Sequence, residues 1–336
     1  MPKCFICGCA GLALDAEERV FLRREDPWGL ILFSRNVADR GQVGALTRAF
    51  RECVGRADAP VLIDQEGGRV QRMGPPHWRA YPAAAAIEAG LEPLRAEAAA
   101  RLVARLIARD LTEVGITVDC APVLDVAEPG THAAIGTRAF SHRPERVAAM
   151  GRAVAQGLLA GGVAPVVKHM PGHGRARVDS HHELPVVNAT RDELKRDFAP
   201  FAALKDLPMA MSAHVVYAAI DPHHPATASS VVVEEIMRGE IGFDGLIMSD
   251  DVSMNALKGP YEQRAAAIIE AGLDIVLHCN GELEEARAVA SAAPALSGPS
   301  LRRARAALDA IAPPEPFDAE QGEREFAAVK AMLGVA

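Results

Sequence analysis

Short apolar segments alternate with longer amphipathic stretches along the whole chain. Between these segments, apolar residues recur at helical spacing, as at Leu102, Leu106 and Leu111, with charges on the opposite face. Strands that alternate with helices are typical of parallel βαβ units. Eight such units favour a closed (β/α)8 barrel, an α/β fold, over an open sheet. The segments predicted as strands are Cys4–Gly8, Leu30–Ser34, Pro60–Asp64, Ile116–Cys120, Ala164–Lys168, Met209–Ala213, Leu246–Ser249 and Ile275–His278.

The same pattern predicts a single domain. A chain of 336 residues is long enough for two domains, but eight strand–helix units occupy nearly all of it. No internal repeat and no Ser/Gly-rich linker divides the chain. We therefore expect one barrel over residues 1–312. The run from Pro313 to Pro316 introduces a tail, residues 313–336, that we expect to form a short helix packed on the barrel.

Composition excludes several classes of protein. The chain has 36 Lys and Arg against 44 Asp and Glu, a net charge of −8, which argues against nucleic acid as a partner. With 49% hydrophobic and 24% charged residues it has the composition of a soluble globular protein. No segment reaches the roughly 18–20 apolar residues of a membrane-spanning helix, so we expect no membrane association.

The N-terminus and the cysteines bear on the cellular compartment. The uncharged run from Cys4 to Leu14 follows a single basic residue, Lys3, and is interpreted as a buried first strand rather than an export signal. The six cysteines are scattered and form neither a disulfide framework nor a zinc motif. We expect buried free thiols and a cytoplasmic protein.

Polar side chains follow almost every predicted strand. In a barrel these positions, the carboxyl ends of the strands, converge at one mouth, where active sites lie. The sequence therefore predicts a site at this mouth. The polar groups are Ser34-Arg35-Asn36, Asp64-Gln65-Glu66, Asp125, Lys168-His169, His214, Ser249-Asp250-Asp251 and His278.

Three segments concentrate this chemistry. The loop Lys168–His181 follows a buried strand and contains a lysine, three histidines and an aspartate among Pro and Gly residues. The segment Gly245–Asp251 ends in two adjacent carboxylates. In Ile63–Arg72, two glycines allow a tight turn that brings Asp64 and Arg72 together.

These segments, together with Gly136-Thr137-Arg138-Ala139-Phe140, resemble the β-N-acetylhexosaminidases of glycoside hydrolase family 3. The resemblance is strongest to the bacterial cytoplasmic branch that acts in peptidoglycan recycling, and it extends from Gly8-Cys9-Ala10-Gly11 to the eighth strand. It implies hydrolysis, with retention, of terminal β-linked N-acetylglucosamine (GlcNAc). The implied substrates are small muropeptides such as GlcNAc-1,6-anhydro-N-acetylmuramic acid, with or without peptide.

The resemblance also implies catalytic residues. Asp250 matches the family's nucleophile, which forms a covalent glycosyl-enzyme. His181 matches the acid/base, and Asp179 would orient its ring and stabilise its cationic form. Without the alignment to the family's motif, His182 is an equal candidate for this role. Adjacent residues of a strand point apart, so we expect Asp251 to support the loop or a partner side chain.

Substrate binding is implied for Asp64, Arg72, Arg138, Lys168 and His169, which would hold the hydroxyls and the 2-acetamido group of the sugar. Because three of these are cations, we expect the mouth to be more basic than the net charge suggests. The chain has 10 Phe, 3 Tyr and 2 Trp, which is little material for aromatic sugar platforms and favours a pocket for one terminal sugar. No metal ion or organic cofactor is implied, and we expect a monomer.

Three alternatives remain open. A histidine acid/base does not repel phosphate as a carboxylate would, so the same site is compatible with a phosphorylase; dependence of product formation on phosphate distinguishes the two. His169, His173, His181, His182, His214 and His278 suggest a metal-dependent hydrolase, which a chelator would inactivate. A sugar-binding protein without activity is the third alternative.

Overall fold

Eight parallel strands form from the β-rich apolar runs, which are buried on both faces of the sheet. Each strand pairs with the next along the chain, and β8 returns to β1 with Cys7 opposite His278, so the sheet closes without a free edge. This computed structural model describes residues 1–180 and 182–334. Its barrel strands are β1 Lys3–Cys7, β2 Pro27–Leu32, β3 Val61–Ile63, β4 Val118–Asp119, β5 Ala164–Met170, β6 Met209–Ser212, β7 Leu246–Asp251 and β8 Ile275–His278.

All eight strand predictions are confirmed, with shifted ends. The second strand starts at Pro27, three residues earlier than expected. The fifth strand continues past Lys168 to Met170, so His169, like Lys168, belongs to the strand itself and not to the loop after it. Their backbones are therefore fixed by the barrel. This matters for the site because both side chains lie at its mouth.

Amphipathic helices surround the barrel and confirm the prediction of a single (β/α)8 fold with a C-terminal helix. Side chains cap several of them: Asp15 and Thr190 each begin a helix with a reciprocal capping box. None of the described helices is both long and apolar enough to cross a membrane. The helices are α1 Ala16–Glu25, α2 Arg40–Val54, α3 Ala84–Gly90, α4 Pro93–Thr112, α5 Pro144–Ala160, α6 Arg191–Ala203, α7 Tyr261–Glu270, α8 Leu283–Ala292, α9 Gly298–Asp309 and α10 Ala319–Leu333, with a π-helix at Val232–Glu240.

Short elements at the carboxyl ends of the strands shape the mouth. A hairpin of Gln65–Gly67 and Val70–Gln71 follows β3, and its turn places Gly67 at φ 92° and Gly68 at φ 59°, in the left-handed region that favours glycine. Val186–Val187 pairs with Val216–Tyr217 and attaches the long loop after β5 to the loop after β6. Short 3-10 turns lie at Ser34–Asn36, Gly136–Arg138 and Ala226–Ala228.

The C-terminal helix α10 packs against α3 and α4. The Phe326 ring lies 5.6 Å from the Tyr81 ring, centroid to centroid, and the Tyr81 hydroxyl donates to buried Asp110 in α4 at 2.7 Å. Arg79 pairs with both Asp110 and Glu323, which joins α10 to the barrel helices by charge as well as by apolar contact. The tail thus covers apolar surface on the flank of the barrel.

Removing the aromatic contact of α10 should destabilise the protein. We expect Phe326→Ala, at a side chain only 5% exposed, to lower the free energy of unfolding by about 3 kcal/mol, since truncation leaves a cavity beside Tyr81. Met332→Ala, at a 50% exposed position of the same helix, should change it by less than about 0.5 kcal/mol. Urea unfolding followed by circular dichroism measures both, and equal effects would contradict the packing described.

Candidate active site

One pocket of about 280 Å³ opens at the mouth of the barrel. It brings together seven of the eight residues predicted for the site: Asp64, Arg72, Arg138, Lys168, His169, Asp179 and Asp250. The eighth, His181, lies outside the described residues. The volume is at the small end of the roughly 300–1,000 Å³ of typical ligand pockets, in agreement with the expectation of a site for one sugar. Apolar lining comes from Ile31, Phe33, Val70, Met211, Met254 and Leu277.

A buried ion network forms the polar floor of this pocket. The Lys168 ammonium lies 2.7 Å from both a carboxylate oxygen of Asp64 and one of Glu66, and its side chain is only 2% exposed. Arg72, from the hairpin, donates to the second oxygen of Asp64 at 3.1 Å, so the predicted turn does bring these two residues together. Arg138 grips Glu66 with two parallel bonds of 2.7 and 2.8 Å.

The network keeps its members charged. Burial opposes ionisation of Asp64, but Lys168 and Arg72 outweigh it and hold the pKa of Asp64 well below its usual range. In the same way Lys168 and Arg138 lower the pKa of Glu66 against the effect of burial. Burial disfavours the charged form of Lys168 too, yet the two carboxylates raise its pKa above the usual value. The floor therefore presents fixed charges to a ligand at neutral pH.

A second set of hydrogen bonds runs from the barrel to the loop after β5. Asp125 is fully buried; one of its oxygens accepts from His169 Nδ1 at 2.7 Å and the other from the His173 backbone N–H at 2.7 Å. Burial opposes ionisation of Asp125, but His169 next to it outweighs this effect and lowers its pKa to about 2. The His173 ring in turn contacts the Ser180 hydroxyl at 3.3 Å. Asp179 is thereby attached to the barrel through its neighbour Ser180.

His173 acts as a brace and is uncharged at neutral pH. Burial, with a smaller contribution from His169, lowers its pKa to about 4. His214, in the loop after β6, is also buried and hydrogen-bonded. Its Nδ1 lies 2.9 Å from the Thr227 hydroxyl, and its Nε2 lies 3.0 Å from the backbone carbonyl oxygen of Asp251. Burial lowers the pKa of His214. Neither His173 nor His214 lines the pocket.

The two carboxylates at the end of β7 have different surroundings. Asp251 accepts from the backbone N–H groups of Ser253 at 2.9 Å and Cys279 at 3.0 Å, and also from the Ser253 hydroxyl. It holds the loop after β7, the supporting position expected of it. Asp250 lines the pocket, and the Asp251 N–H donates to its Oδ1 at 2.8 Å, a bond that favours the ionised form.

Sequence reasoning gave no role to two residues of the site. Glu66 and Asp125 were both noted as polar groups at strand ends. Alternation along the chain after Asp64 could have indicated that Glu66 faces the same side. The described lining has four cations, Arg69, Arg72, Arg138 and Lys168, against four carboxylates, Asp64, Asp179, Asp250 and Asp251, so the mouth is balanced in charge and, as expected, more basic than the net charge of −8 suggests.

A larger groove, of about 660 Å³, lies on the flank of the barrel between α4, α5 and residues 315–317. It is remote from the strand ends and contains no residue of the motifs, so it does not compete as the active site. Within residues 1–180 and 182–334, no three His, Cys, Asp or Glu side chains converge as metal ligands do. The metal-dependent alternative thus has no support in this part of the chain.

A closed (β/α)8 barrel with carboxylates around a small polar pocket at its mouth is the arrangement of a glycoside hydrolase. Residues 10–307 match the model of the glycosyl hydrolase family 3 N-terminal domain. Curated β-hexosaminidases align over most of the chain at about 40% identity. The chain therefore belongs to glycosyl hydrolase family 3, among its β-hexosaminidases.

Individual relatives agree on this. A β-hexosaminidase of Alkalilimnicola ehrlichii is 42% identical over 280 residues, 81% of this chain and 79% of that protein. NagZ from Neisseria gonorrhoeae, solved in complex with N-trifluoroacetyl-D-glucosamine, superposes with a TM-score of 0.84 at 32% identity, covering 99% of this chain and 97% of that one. A family 3 β-N-acetylglucosaminidase from Paenibacillus sp. str. FPU-7 has a TM-score of 0.88 at 28% identity, covering 98% and 67%.

Removing the Lys168 ammonium should leave the carboxylates of Asp64 and Glu66 buried with too little positive charge beside them. We expect Lys168→Met to lower the free energy of unfolding by about 3–5 kcal/mol at pH 7.5. The lysine keeps the folded-state pKa values of Asp64 and Glu66 low, a stabilisation that is fully present above their unfolded pKa of about 4 and is lost as the pH falls through the lowered folded-state values. Without the lysine, burial raises the folded-state pKa of both acids, so the folded variant takes up protons between pH 7.5 and pH 5 and the deficit should shrink at pH 5.

The matched control is Lys195→Met, which breaks an exposed ion pair with Asp192. It should leave the free energy of unfolding nearly unchanged at either pH, because solvent screens an exposed pair. Urea unfolding of both variants at pH 7.5 and pH 5 measures the differences. A Lys168→Met deficit that stays constant with pH, or that matches the control, would rule out the buried charge network.

Proposed function

We propose that this family 3 β-hexosaminidase removes terminal β-linked GlcNAc from muropeptides in the cytoplasm, with retention of configuration and without a metal or organic cofactor. The observation that carries this proposal is that Asp250 and Asp179 line the same small pocket as the polar residues of its floor. Retaining glycosidases need a nucleophile and an acid/base on either side of one anomeric carbon. The proposal assigns the role of nucleophile to Asp250 and the support of the acid/base to Asp179.

Asp250 is the proposed nucleophile. It stands at the end of a rigid barrel strand, and the Asp251 N–H bond to one of its oxygens supports an ionised carboxylate. Attack of its other oxygen on the anomeric carbon would form a glycosyl-enzyme, which water then hydrolyses. Two displacements at one carbon restore the original β configuration.

Asp179 and His181 are the proposed acid/base pair. An imidazole titrates near neutrality, so it can protonate the leaving oxygen in the first step and take a proton from water in the second. Asp179, held through Ser180 and His173, would orient the ring and stabilise its cationic form. This assignment of His181 rests on the motif alone.

The polar floor fits one amino sugar. Asp64, Arg72, Arg138, Lys168 and His169 offer donors and acceptors in fixed positions, which suits a ring with several hydroxyls and an acetamido group. That a relative was solved with N-trifluoroacetyl-D-glucosamine supports a GlcNAc-type ligand here. Buried free thiols at all six cysteines are compatible with a reducing compartment.

The substrate class is tested by comparing purified GlcNAc-1,6-anhydro-N-acetylmuramic acid with chitobiose. We expect kcat/KM to be higher for the muropeptide sugar, free GlcNAc to be the product, and the rate to be the same with and without phosphate. Proton NMR of the first product should show the β anomer. A product of GlcNAc 1-phosphate would instead identify a phosphorylase.

Replacing the nucleophile should abolish turnover and spare the fold. We expect Asp250→Ala to lower kcat on 4-nitrophenyl N-acetyl-β-D-glucosaminide by roughly 10⁴-fold or more, the scale of nucleophile loss in other enzymes. Its unfolding midpoint in urea should stay close to that of the unmodified protein because the side chain is only half-buried. An active Asp250→Ala variant would refute the assignment.

The acid role predicts a dependence on the leaving group. Nitrophenolate needs little protonation, whereas a sugar alkoxide needs a full proton, so His181→Ala should lose about 10²- to 10⁴-fold on the disaccharide and much less on the nitrophenyl glycoside. His182→Ala is the matched control and should retain activity on both. Equal losses of His181→Ala on the two substrates would exclude the acid role, and an effect confined to His182→Ala would reassign it.

A further inference from the structure

Arg69 differs from the other cations of the pocket. Arg72, Arg138 and Lys168 each pair with a carboxylate within 3.1 Å, whereas Arg69 has no carboxylate within 4 Å among the residues that the structure describes. Its Nη2 donates to the backbone carbonyls of Ala133, at 3.1 Å, and Ala134. These bonds hold the guanidinium in place without an ion pair, and no described group accepts a hydrogen bond from its Nε or Nη1.

The position of Arg69 is at the rim and not at the floor. It occupies the exposed turn of the hairpin, between Gly68 and Val70, and lines the pocket together with Ala134 and Asp179. Asp179 is close enough for its charge to act on the guanidinium. Asp179, which would orient the acid that protonates the glycosidic oxygen, must lie near the leaving group. Arg69 lines the pocket beside Asp179 and therefore borders the space that the leaving sugar would occupy.

The local field favours an anion at this rim. Partial burial and the neighbouring charge of Arg138 lower the pKa of Arg69, although Glu66 and Asp179 act in the opposite direction. A carboxylate bound at the guanidinium would offset the repulsion from Arg138. A guanidinium with free donors in one plane is also the side chain best suited to hold a carboxylate by two parallel bonds.

We propose that Arg69 is a specificity residue that binds a carboxylate carried by the leaving sugar. This rests on the proposed function, and in a muramic acid aglycone without its peptide the group is the 3-O-lactyl carboxylate, which an attached peptide converts to an amide. Chitobiose has no such group, so Arg69 would separate the peptide-free muramic acid disaccharide from chitin fragments although both present the same terminal GlcNAc. One cation at the rim that forms no ion pair thus selects for charge on the aglycone.

The test compares GlcNAc-1,6-anhydro-N-acetylmuramic acid with its lactyl amide, which removes the charge and keeps the shape. For the unmodified protein, kcat/KM should be roughly tenfold higher for the acid, mainly through KM, as expected for a charge-assisted pair at a partly exposed site. Raising the salt concentration from 20 to 500 mM should reduce this preference. Arg69→Gln should lower kcat/KM for the acid about tenfold and leave the amide and chitobiose little changed.

Arg35→Gln is the matched control. Arg35 is another exposed arginine at the barrel mouth whose hydrogen bonds go only to backbone carbonyls, those of Cys9 and Cys279; it lies over the Phe33 ring but does not itself line the pocket. Its loss removes the same charge and the same kind of bond, so the ratio of acid to amide should stay that of the unmodified protein. This control separates a local contact from a general effect of positive charge.

Each other outcome is decisive. The proposal is overturned if Arg69→Gln keeps the preference for the acid. It is also overturned if the variant loses activity equally on all three substrates, a result that would make Arg69 a structural link between the hairpin and residues 133–134. If the unmodified protein does not hydrolyse the muropeptide sugar, the proposed function fails. The 3-carboxyphenyl and 3-carbamoylphenyl glycosides of GlcNAc then test Arg69 separately, and an equal ratio in protein and variant overturns the inference.

Discussion

The buried ammonium of Lys168 is the constraint from which the rest of the site follows. A charge held inside a barrel strand needs ionised partners, and Asp64 and Glu66 supply them from the end of β3 and its hairpin. Two carboxylates beside one lysine then need further cations, which Arg72 and Arg138 provide. Each charge is tolerated only because the others are present. The result is a set of donors and acceptors fixed before any ligand arrives, and such preorganisation is what a site that recognises many hydroxyls requires.

A second hydrogen-bond network joins the barrel to the loop that carries the proposed acid/base. Asp125 holds the His169 ring and the His173 backbone, and the His173 ring reaches Ser180. At the other end of the loop, Val186–Val187 pairs with Val216–Tyr217, and the Tyr217 hydroxyl donates to the carbonyl of Gly172 at 2.6 Å. Both ends of the loop are thus tied to strand ends of the barrel. A loop anchored in this way can present Asp179 to the pocket although it is long and contains several glycines.

The sequence predicted the barrel well because strand and helix periodicity are local properties that each segment carries by itself. Asp64, Lys168 and Asp250 could be placed at the mouth for the same reason, since the carboxyl ends of parallel strands must meet, whereas their roles and that of Arg72 followed from the family resemblance. Glu66 received no role because its partner Arg138 is 72 residues away, and Asp125 none because it lies in irregular chain 44 residues from His169. The pairing of charges at the mouth was also beyond reach. It depends on which side chains pair with which, and no periodic pattern encodes pairing across such separations.

The aromatic side chain nearest the sugar pocket shows why recognition here must be polar. Phe33 lines the pocket, but the guanidinium of Arg35 lies 5.0 Å from its ring centroid and that of Arg72 lies 5.2 Å from it. Cation–π contacts of this kind occupy the faces that a sugar would otherwise stack on. Phe33 therefore positions Arg72, whose other contact is Asp64, instead of serving as a platform. A long polysaccharide groove depends on such platforms, whereas a small pocket whose aromatic ring is already engaged must bind its ligand through charged groups. This agrees with the proposed action on one terminal sugar at a time.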